Sequence, residues 1–333
     1  MQDDTQSWAR KLAPFAHPDN RRGAVELALT LALLGAAMAA MIAVSYRFPF
    51  LAIMMAPLSG LFLVRLFIIQ HDCGHGALLS SRAANDWIGR ALGVLTLTPY
   101  DVWKHAHAIH HAGSGNLDKR GHGDIDIKTV AEYRASSRLE RLRYRAYRHP
   151  LVLFAIGPAY VFLLQHRLPV KYLRGGVQAW LSVMGTNLGI AALMAAIALG
   201  FGAPVLLYVY LPTVLVGAVI GVWLFYVQHQ FDPTFWERAP QWERERAALQ
   251  GSSFYDLPQP LMWLTGNIGV HHVHHLAYRI PFHRLPDVLR RYPQFRETGR
   301  LTLAQSLRCV RLTLWDEASK RMVTFRQAST TKA

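Results

Sequence analysis

Long apolar segments alternate with polar ones along the chain, and four of the apolar runs reach the length of a membrane span. They cover residues 23–44, 50–69, 180–199 and 205–226. Each is close to the ~20 residues that a helix needs to cross a bilayer. Only short connectors separate the first run from the second and the third from the fourth, and Arg47 is the one cation in them. The pattern predicts two helical hairpins across a membrane.

The polar segments between and after these hairpins predict a helical cap outside the bilayer. Residues 71–177 and 228–326 would form this cap, with residues 1–22 and 327–333 as tails. Helices are indicated at 85–96, at 132–148 and, in amphipathic form, within 301–326, whereas 150–165 is short, contains a proline and favours an interfacial or re-entrant position. The predicted fold is all-α: an integral membrane protein in which a cytoplasmic helical domain caps four transmembrane helices. The spans and the cap together form one domain, residues 23–326.

The distribution of charge predicts how the chain lies in the membrane. The chain has 36 Lys and Arg against 21 Asp and Glu, and nearly all the cations lie in the tails and the cap segments. The positive-inside rule therefore places both termini and the whole cap on the cytoplasmic side. The excess positive charge favours contact with anionic lipid or an acidic redox partner. Nucleic acid is not expected as a partner, because no basic stripe with interleaved aromatics lies outside the membrane-flanking segments.

Two further features limit the chemistry. The two cysteines, Cys73 and Cys309, form no CxxC pattern and no disulfide framework. No short apolar segment with a cleavage site precedes the first run, so no removable signal peptide is predicted.

Histidines at metal-ligand spacing are the strongest chemical signal. Sixteen histidines are present, and eight of them form three clusters. On a helix, positions i, i+3 and i+4 share one face, so each cluster would offer its imidazoles side by side. The clusters are His71 and His75, then His107, His110 and His111, then His271, His274 and His275, and His229 at the end of the fourth run is a ninth candidate.

Nine imidazoles exceed what one metal ion needs. A single zinc takes four ligands, whereas two six-coordinate irons would use about nine and leave room for oxygen. Imidazole suits iron, zinc and copper, so the spacing alone leaves the element open. A redox metal beside a hydrocarbon compartment indicates oxidation of an acyl or alkyl chain.

Polar residues near the clusters are candidates to support the metal ligands. Metal-bound imidazoles need outer acceptors that fix their tautomer, and Asp72 and Asp256 head that group, which also includes Asp101, Asp118, Asp124, Asp126 and Glu132. Asn267, four residues before His271, would share its helical face and hold a metal-bound water. Arg65 lies inside the second run, six residues before His71, and is either paired or snorkels to the interface.

These motifs resemble a known family. The order HxxxH, HxxHH, HxxHH with hydrophobic hairpins between is similar to the integral-membrane fatty acid desaturases, and segments such as IIQHDCGHG, FYVQHQFDPTFWER and TGNIGVHHVHHLAYRIPFHRL resemble the bacterial acyl-lipid Δ12/ω-6-like desaturases. The resemblance covers residues 71–326. It implies an oxidoreductase of lipid metabolism in the bacterial inner membrane.

The resemblance also implies the cofactor and partners. The family carries a non-haem di-iron centre on its histidine boxes, and uses O2 and two electrons to remove two vicinal hydrogens from an acyl chain. The extra family ligand at the end of the fourth span corresponds to His229, and the family's water-binding asparagine to Asn267. A membrane-lipid acyl chain would be the substrate, and ferredoxin or a similar carrier the external electron donor. Two other functions remain open: a di-iron hydroxylase or ketolase acting on an alkane, sterol or carotenoid, and a metal transporter.

Overall fold

Helices dominate the structure, a computed structural model that describes residues 7–121, 124–169 and 176–330. The α-helices are α1 Trp8–Leu12, α2 Asn20–Ser45, α3 Pro49–Met54, α4 Ala56–His75, α5 Arg82–Leu95, α6 Tyr100–Gly113, α7 Val130–Ala135, α8 Arg138–Tyr147, α9 Gly157–Leu163, α10 Gly176–Phe201, α11 Leu211–His229, α12 Arg244–Gln250, α13 Gln259–Leu264, α14 His271–Leu276, α15 Leu285–Arg291, α16 Leu303–Cys309 and α17 Phe325–Thr330. The short strands are β1 Lys128–Thr129, β2 Phe254–Asp256, β3 Arg300–Thr302, β4 Leu314–Asp316 and β5 Arg321–Val323. Two π-helical turns, Val152–Ile156 and Leu206–Tyr210, lead directly into α9 and α11.

Three helices among the described residues are long and apolar enough to cross a membrane. They are Asn20–Ser45, Gly176–Phe201 and Leu206–His229, and they coincide with the first, third and fourth predicted runs. The bent pair Arg138–Tyr147 and Val152–Arg167, with 58° between its halves, is a further candidate. The chain is therefore a membrane protein, and the count of four spans stays a prediction.

The second predicted run is divided and more deeply enclosed than the others. Residues 50–69 fall on α3 and α4, which are separated at Met55, and α4 continues to His75. Pro57 in the first turn of α4 has no amide hydrogen to donate, which favours a break at this point. Most residues from Phe62 to Cys73 are buried, so the apolar side chains of this run mainly contact protein.

Helix α4 is the centre of the fold and packs against α2, α5 and α11. It approaches α11 closely at Gly60 and Gly217: a Cβ added to Gly60 would lie 2.7 Å from Val216 Cγ1. Ser59 and Thr213 hydroxyls are 2.8 Å apart beside this crossing. Small residues and hydroxyl pairs are what allow helices to pack tightly in lipid.

The cap contains small strand pairs that the all-α prediction missed. β1 is parallel to β4, β4 is antiparallel to β5, and β2 is parallel to β3. The strands β3, β4 and β5 lie in or at the edge of residues 301–326, which were predicted to contain an amphipathic helix. In the structure this helix is the short α16, between β3 and β4. Periodicity fails there because strands of three residues are too short to show alternation.

Two other boundaries differ from the prediction. Ser136 and Ser137 separate α7 from α8 within 132–148, where Ser137 caps α8 by accepting from Glu140 N. The N-terminal segment packs on the cap, since the Trp8 ring lies 4.6 Å from that of Phe295 and Leu12 is fully buried. Residues 1–6 and 331–333 of the predicted tails lie outside the described residues.

Candidate metal centre

The first histidine cluster occupies the last turn of α4. Gly76 follows in the left-handed region (φ +64°), its amide bonds to Cys73 O, and Ala77 N bonds to Asp72 O at 2.9 Å. Glycine adopts this conformation without strain, which makes it the usual residue at such a helix end. The turn stops α4 just after His75 and so fixes where the His71 and His75 imidazoles lie.

The second cluster lies on the C-terminal half of α6. His107, His110 and His111 share a helix that starts after Pro99 and ends at Gly113. His105 belongs to the same helix, but its side chain is exposed and it joins neither group of converging imidazoles.

The third cluster begins a helix after a tight turn. Gly266 (φ +59°) and Asn267 (φ +52°) form the turn, and α14 starts at His271. Tyr255 N donates to Gly269 O at 2.7 Å, which ties the turn to β2. The predicted turn before His271 is confirmed. The prediction that Asn267 and His271 share a helical face is wrong, because the backbone at Asn267 is left-handed and the helix begins only at His271.

The nine predicted histidines converge into two adjacent groups. In each group, one nitrogen from every imidazole lies within 4.8 Å of the corresponding nitrogen of all the others. The five-histidine cluster consists of His71, His75, His107, His111 and His274, and the four-histidine cluster of His110, His229, His271 and His275. Segments separated by up to about two hundred residues in the sequence thus meet at one place.

The two clusters interleave through shared helices. α6 gives His107 and His111 to one cluster and His110 to the other, and α14 gives His274 to one and His271 and His275 to the other. On a helix, adjacent residues point in directions about 100° apart, so a single turn can serve two sites. Sequence spacing grouped these histidines by segment and did not show how they divide.

The contacts within each cluster fit metal ions better than hydrogen bonds. Nε2 of His107 lies 3.1 Å from Nε2 of both His75 and His111. A ring nitrogen has either one proton or one lone pair, so it cannot make hydrogen bonds to two such neighbours at once. The same conflict occurs in the four-histidine cluster, where His271 Nε2 is 3.0 Å from His229 Nε2 and 3.1 Å from His275 Nε2.

The electrostatics of the clusters also favour metal binding. Burial lowers the pKa of His107, His111 and His274 well below the usual value, and neighbouring imidazoles lower it further by charge repulsion. Imidazole must be neutral to bind a metal ion. These histidines are therefore ready to bind at neutral pH.

Oxygen acceptors outside the two groups contact Nδ1 of three of these histidines. The Asp124 carboxylate contacts Nδ1 of His110, Asp72 Oδ1 lies 3.4 Å from Nδ1 of His71, and Gly251 O lies 3.3 Å from Nδ1 of His229. A proton held at Nδ1 leaves Nε2 with its lone pair toward the cluster. Asp72 and Asp124 were both among the predicted acceptors, and the structure places each against Nδ1 of a cluster histidine.

Replacing Asp124 with asparagine should weaken metal binding by about 10- to 100-fold, the usual effect of losing such an acceptor. The weakened ligand is His110, so the loss should be greater at the four-histidine cluster. The metal retained per chain after dialysis against a chelator, measured by elemental analysis, gives this loss. Asp256→Asn is the matched control, because Asp256 pairs with Arg300 on the surface; equal losses in both variants would refute the role given to Asp124.

Two other predicted supporting residues have hydrogen-bond partners that are not cluster histidines. Asp256 Oδ2 accepts from Arg300 at 2.7 Å, and Asn267 Nδ2 donates to Phe282 O at 3.4 Å. Arg65 is almost fully buried and paired, with Nη2 2.6 Å from Glu26 Oε2, so the snorkelling alternative is wrong.

Two contacts fasten the third cluster to α4 at both ends. Arg65 donates through Nη1 to Trp263 O, which lies before α14. After α14, Phe282 N donates to Asp72 Oδ2 at 2.7 Å. The segment that carries α14 is therefore held on the helix that carries the first cluster.

An apolar cavity of about 730 Å³ reaches the five-histidine cluster and the four-histidine cluster. His71 and His107 of one cluster and His110 and His271 of the other are part of its wall. From there it runs between α4, α9 and α11, where apolar side chains and Gly221 line it. Its volume lies within the ~300–1,000 Å³ of small-molecule sites.

Two aromatic residues beside the clusters were not predicted. The Trp103 ring stacks on His107 at 4.7 Å and lines the cavity. The Tyr278 ring lies 5.1 Å from His75 and 5.6 Å from His111, and neither of these histidines is part of the cavity wall. Tyr278 follows the third cluster by only three residues, but nothing in the spacing distinguishes it from a core aromatic.

Fold and site together define a membrane protein with two adjacent histidine clusters able to hold metal ions and an apolar cavity leading to them. Residues 47–306 match the fatty acid desaturase family, and the chain belongs to that family. Its members are oxidoreductases that act on fatty acids.

Individual relatives are consistent with this assignment. The chain is 42% identical to a fatty acid desaturase of Bacillus subtilis over 95% of this chain and 90% of that protein. It is 28% identical to an sn-1 acyl-lipid omega-3 desaturase (ferredoxin) of Synechocystis, over 66% of this chain and 61% of the relative. An sn-1 oleoyl-lipid 12-desaturase of Synechocystis is 27% identical over 68% of this chain and 64% of that protein.

Proposed function

We propose that the chain is an O2-dependent di-iron desaturase that introduces a cis double bond into the acyl chain of a membrane lipid. One observation carries the proposal: the apolar cavity has histidines of both clusters in its wall. A hydrocarbon chain in this cavity would have its carbons next to both metal positions. The relatives that act on acyl lipids support the same substrate class.

Two irons, when bound, would supply the O2 and electron chemistry that removes two vicinal hydrogens from the chain. His71, His75, His107, His111 and His274 would hold one ion, and His110, His229, His271 and His275 the other. Asp72 and Asp124 keep protons on Nδ1 of their histidines. The apolar wall excludes water and limits the positions that the acyl chain can take.

The donor set also bears on the choice of metal. Groups of five and four nitrogen ligands exceed what zinc takes when it keeps a catalytic position open. Iron accepts five or six ligands, so this donor set favours iron over zinc. Iron, unlike zinc, can carry out redox chemistry. A bacterial inner membrane location with a cytoplasmic cap belongs to the same proposal, and so does an external donor such as ferredoxin, which the name of one relative mentions.

The test is expression in a host that lacks polyunsaturated lipids, followed by fatty acid analysis with double-bond location. A new cis double bond without added oxygen supports desaturation. An oxygenated product would assign the chain to the hydroxylase or ketolase alternative, and an unchanged lipid profile with iron verified as bound would reject the substrate.

Gly221 offers a test of the cavity as the acyl site. It lines the cavity, a Cβ added there meets no atom within 4 Å, and it lies eight residues before His229, about 12 Å along α11. Gly221→Leu should fill this part of the cavity and shift the products toward shorter acyl chains, or sharply reduce yield on long ones.

Gly185→Leu is the matched control for this substitution. Gly185 lies on α10, is exposed, and also has open space around an added Cβ, but does not line the cavity. Gas chromatography of the lipids measures both variants. An unchanged chain-length profile in Gly221→Leu would show that the acyl chain lies elsewhere.

A further inference from the structure

The two sides of the metal centre differ in what they face. The cavity touches His71, His107, His110 and His271. His75 and His111 lie outside the cavity wall and contact the half-buried ring of Tyr278 instead. The centre therefore has an acyl side and an opposite side, and the latter is covered by a tyrosine.

The five-histidine cluster is also the less enclosed of the two. His75, His107 and His111 are partly exposed, whereas all four residues of the other cluster are buried. An electron from outside the protein has its shortest route to the centre through the partly exposed histidines, because transfer weakens with distance through protein. Of these, His75 and His111 are the ones that Tyr278 covers.

Two arginines lie beside this tyrosine, and a lysine lies near the end of α6. The Arg244 guanidinium lies 6.0 Å from the centre of the Tyr278 ring, and Arg279 is exposed next to it. Lys119 packs against Gly113, two residues after His111, and its amine is 5.9 Å from the Trp242 ring. α12, which begins at Arg244, packs on α14.

The acids nearby do not cancel these charges. Glu243 and Glu245 are exposed on either side of Arg244, and Asp118 is paired with Arg238 at 3.0 Å. Lys119, Arg244 and Arg279 outnumber the two glutamates by three to two. We call Lys119, Trp242, Arg244, Tyr278 and Arg279 the Tyr278 face; it is positively charged with aromatic side chains at its centre.

We propose that the Tyr278 face is the docking surface of a small acidic one-electron carrier of the iron–sulfur class, and that electrons enter through His75 and His111, opposite the acyl chain. This inference rests on the proposed function. Positive charge beside the entry route complements an acidic partner, and complementary charges speed encounter and fix orientation. A rim of basic residues around half-buried aromatics is also the composition of transient interfaces.

The electron count is consistent with repeated docking. In each docking event the reduced carrier loses one electron, and the metal centre gains it. Two events supply two electrons, the acyl chain loses two hydrogens, and two protons come from solvent. Together these reduce one O2 to two waters and leave one C=C bond.

Binding of a reduced plant-type [2Fe–2S] ferredoxin to the iron-loaded full chain in nanodiscs tests the proposal. Lys119→Glu with Arg244→Glu should weaken binding by about tenfold or more at low salt, and the difference should vanish near ~0.5 M salt, where screening removes surface attraction. Arg326→Glu on α17, also exposed, is the matched control and should bind like the wild type. Equal weakening in both variants, or none in either, would overturn the docking surface.

A second variant tests the route separately from docking. Tyr278→Leu leaves the basic rim in place, so a saturating concentration of carrier should still occupy the face. At saturation, reduction of the iron, followed by its absorption in single-turnover mixing, should be slower than in the wild type. Unchanged reduction would overturn the route through His75 and His111. Dithionite with a small mediator bypasses the carrier, so failure of desaturation under those conditions would count against the proposed function and leave the binding result unaffected.

Discussion

His274→Ala is expected to abolish desaturation and remove iron from the five-histidine cluster. His274 Nε2 lies 3.1 Å from His111 Nε2, and its ring lies 4.5 Å from that of His71, so it closes the group between α4 and α6. Even outer partners of metal ligands cost about 10- to 100-fold when removed, so loss of a ligand should cost more than about 100-fold in activity. Iron content should fall to one ion or fewer per chain, measured by elemental analysis.

His110→Ala should give the same loss of activity through the other cluster. His105→Ala is the matched control, because His105 is exposed on the same helix and belongs to neither group. The control should keep its iron and its product. Full activity in His274→Ala, or equal loss in the His105 variant, would mean that these groupings do not describe the metal sites.

Arg65→Met is expected to destabilise the protein more than any surface charge change. Arg65 is buried, pairs with Glu26 on α2, and donates to Trp263 O in the cap. Its guanidinium lies 4.0 Å from the Trp263 ring. Removing one partner of a buried ion pair costs about 3–5 kcal/mol when the other charge loses its compensation. We expect the lower part of this range, because Arg22 still contacts the Glu26 carboxylate. Thermal unfolding in detergent, with iron loaded, measures the change.

Two further variants show whether the cost arises from the unpaired charge. Arg22 binds the same carboxylate at 2.7 Å but is 57% exposed, so Arg22→Gln should change the melting temperature little. Combining Arg65→Met with Glu26→Leu removes both charges and should recover part of the stability. If the double variant is no more stable than Arg65→Met, the hydrogen bond to Trp263 carries the effect.

Much of the site was accessible from spacing alone. His110 and His111 both lie about one turn after His107 on any helix, and the chain has three groups of histidines at such i, i+3 or i+4 spacing. The division of the nine histidines into groups of five and four could not be predicted from the sequence, because it depends on how α4, α6, α11 and α14 cross. That crossing is set by contacts such as Gly60 against Gly217, which leave no periodic signal in the sequence.

The failed predictions share a physical cause. Asn267 was placed by helical register, but the backbone turns left-handed there. The division of the second run at Met55 and the strands β3 to β5 depend on local turns and on pairing between distant segments. Arg65 could be recognised as unusual, yet its partner Glu26 is 39 residues away on another helix. Local patterns identify such residues and do not identify their partners.

The attachment of the third cluster to α4 at both Trp263 and Phe282 has a mechanical consequence. Both anchors lie on one helix, so tilting that helix in a thinner or thicker membrane would carry α14 along as one rigid piece. His71, His75 and His274 of the five-histidine cluster would then keep their mutual spacing when lipid composition changes. Growth temperature alters bilayer thickness, and under the proposed function the enzyme changes the unsaturation of the lipids that surround it.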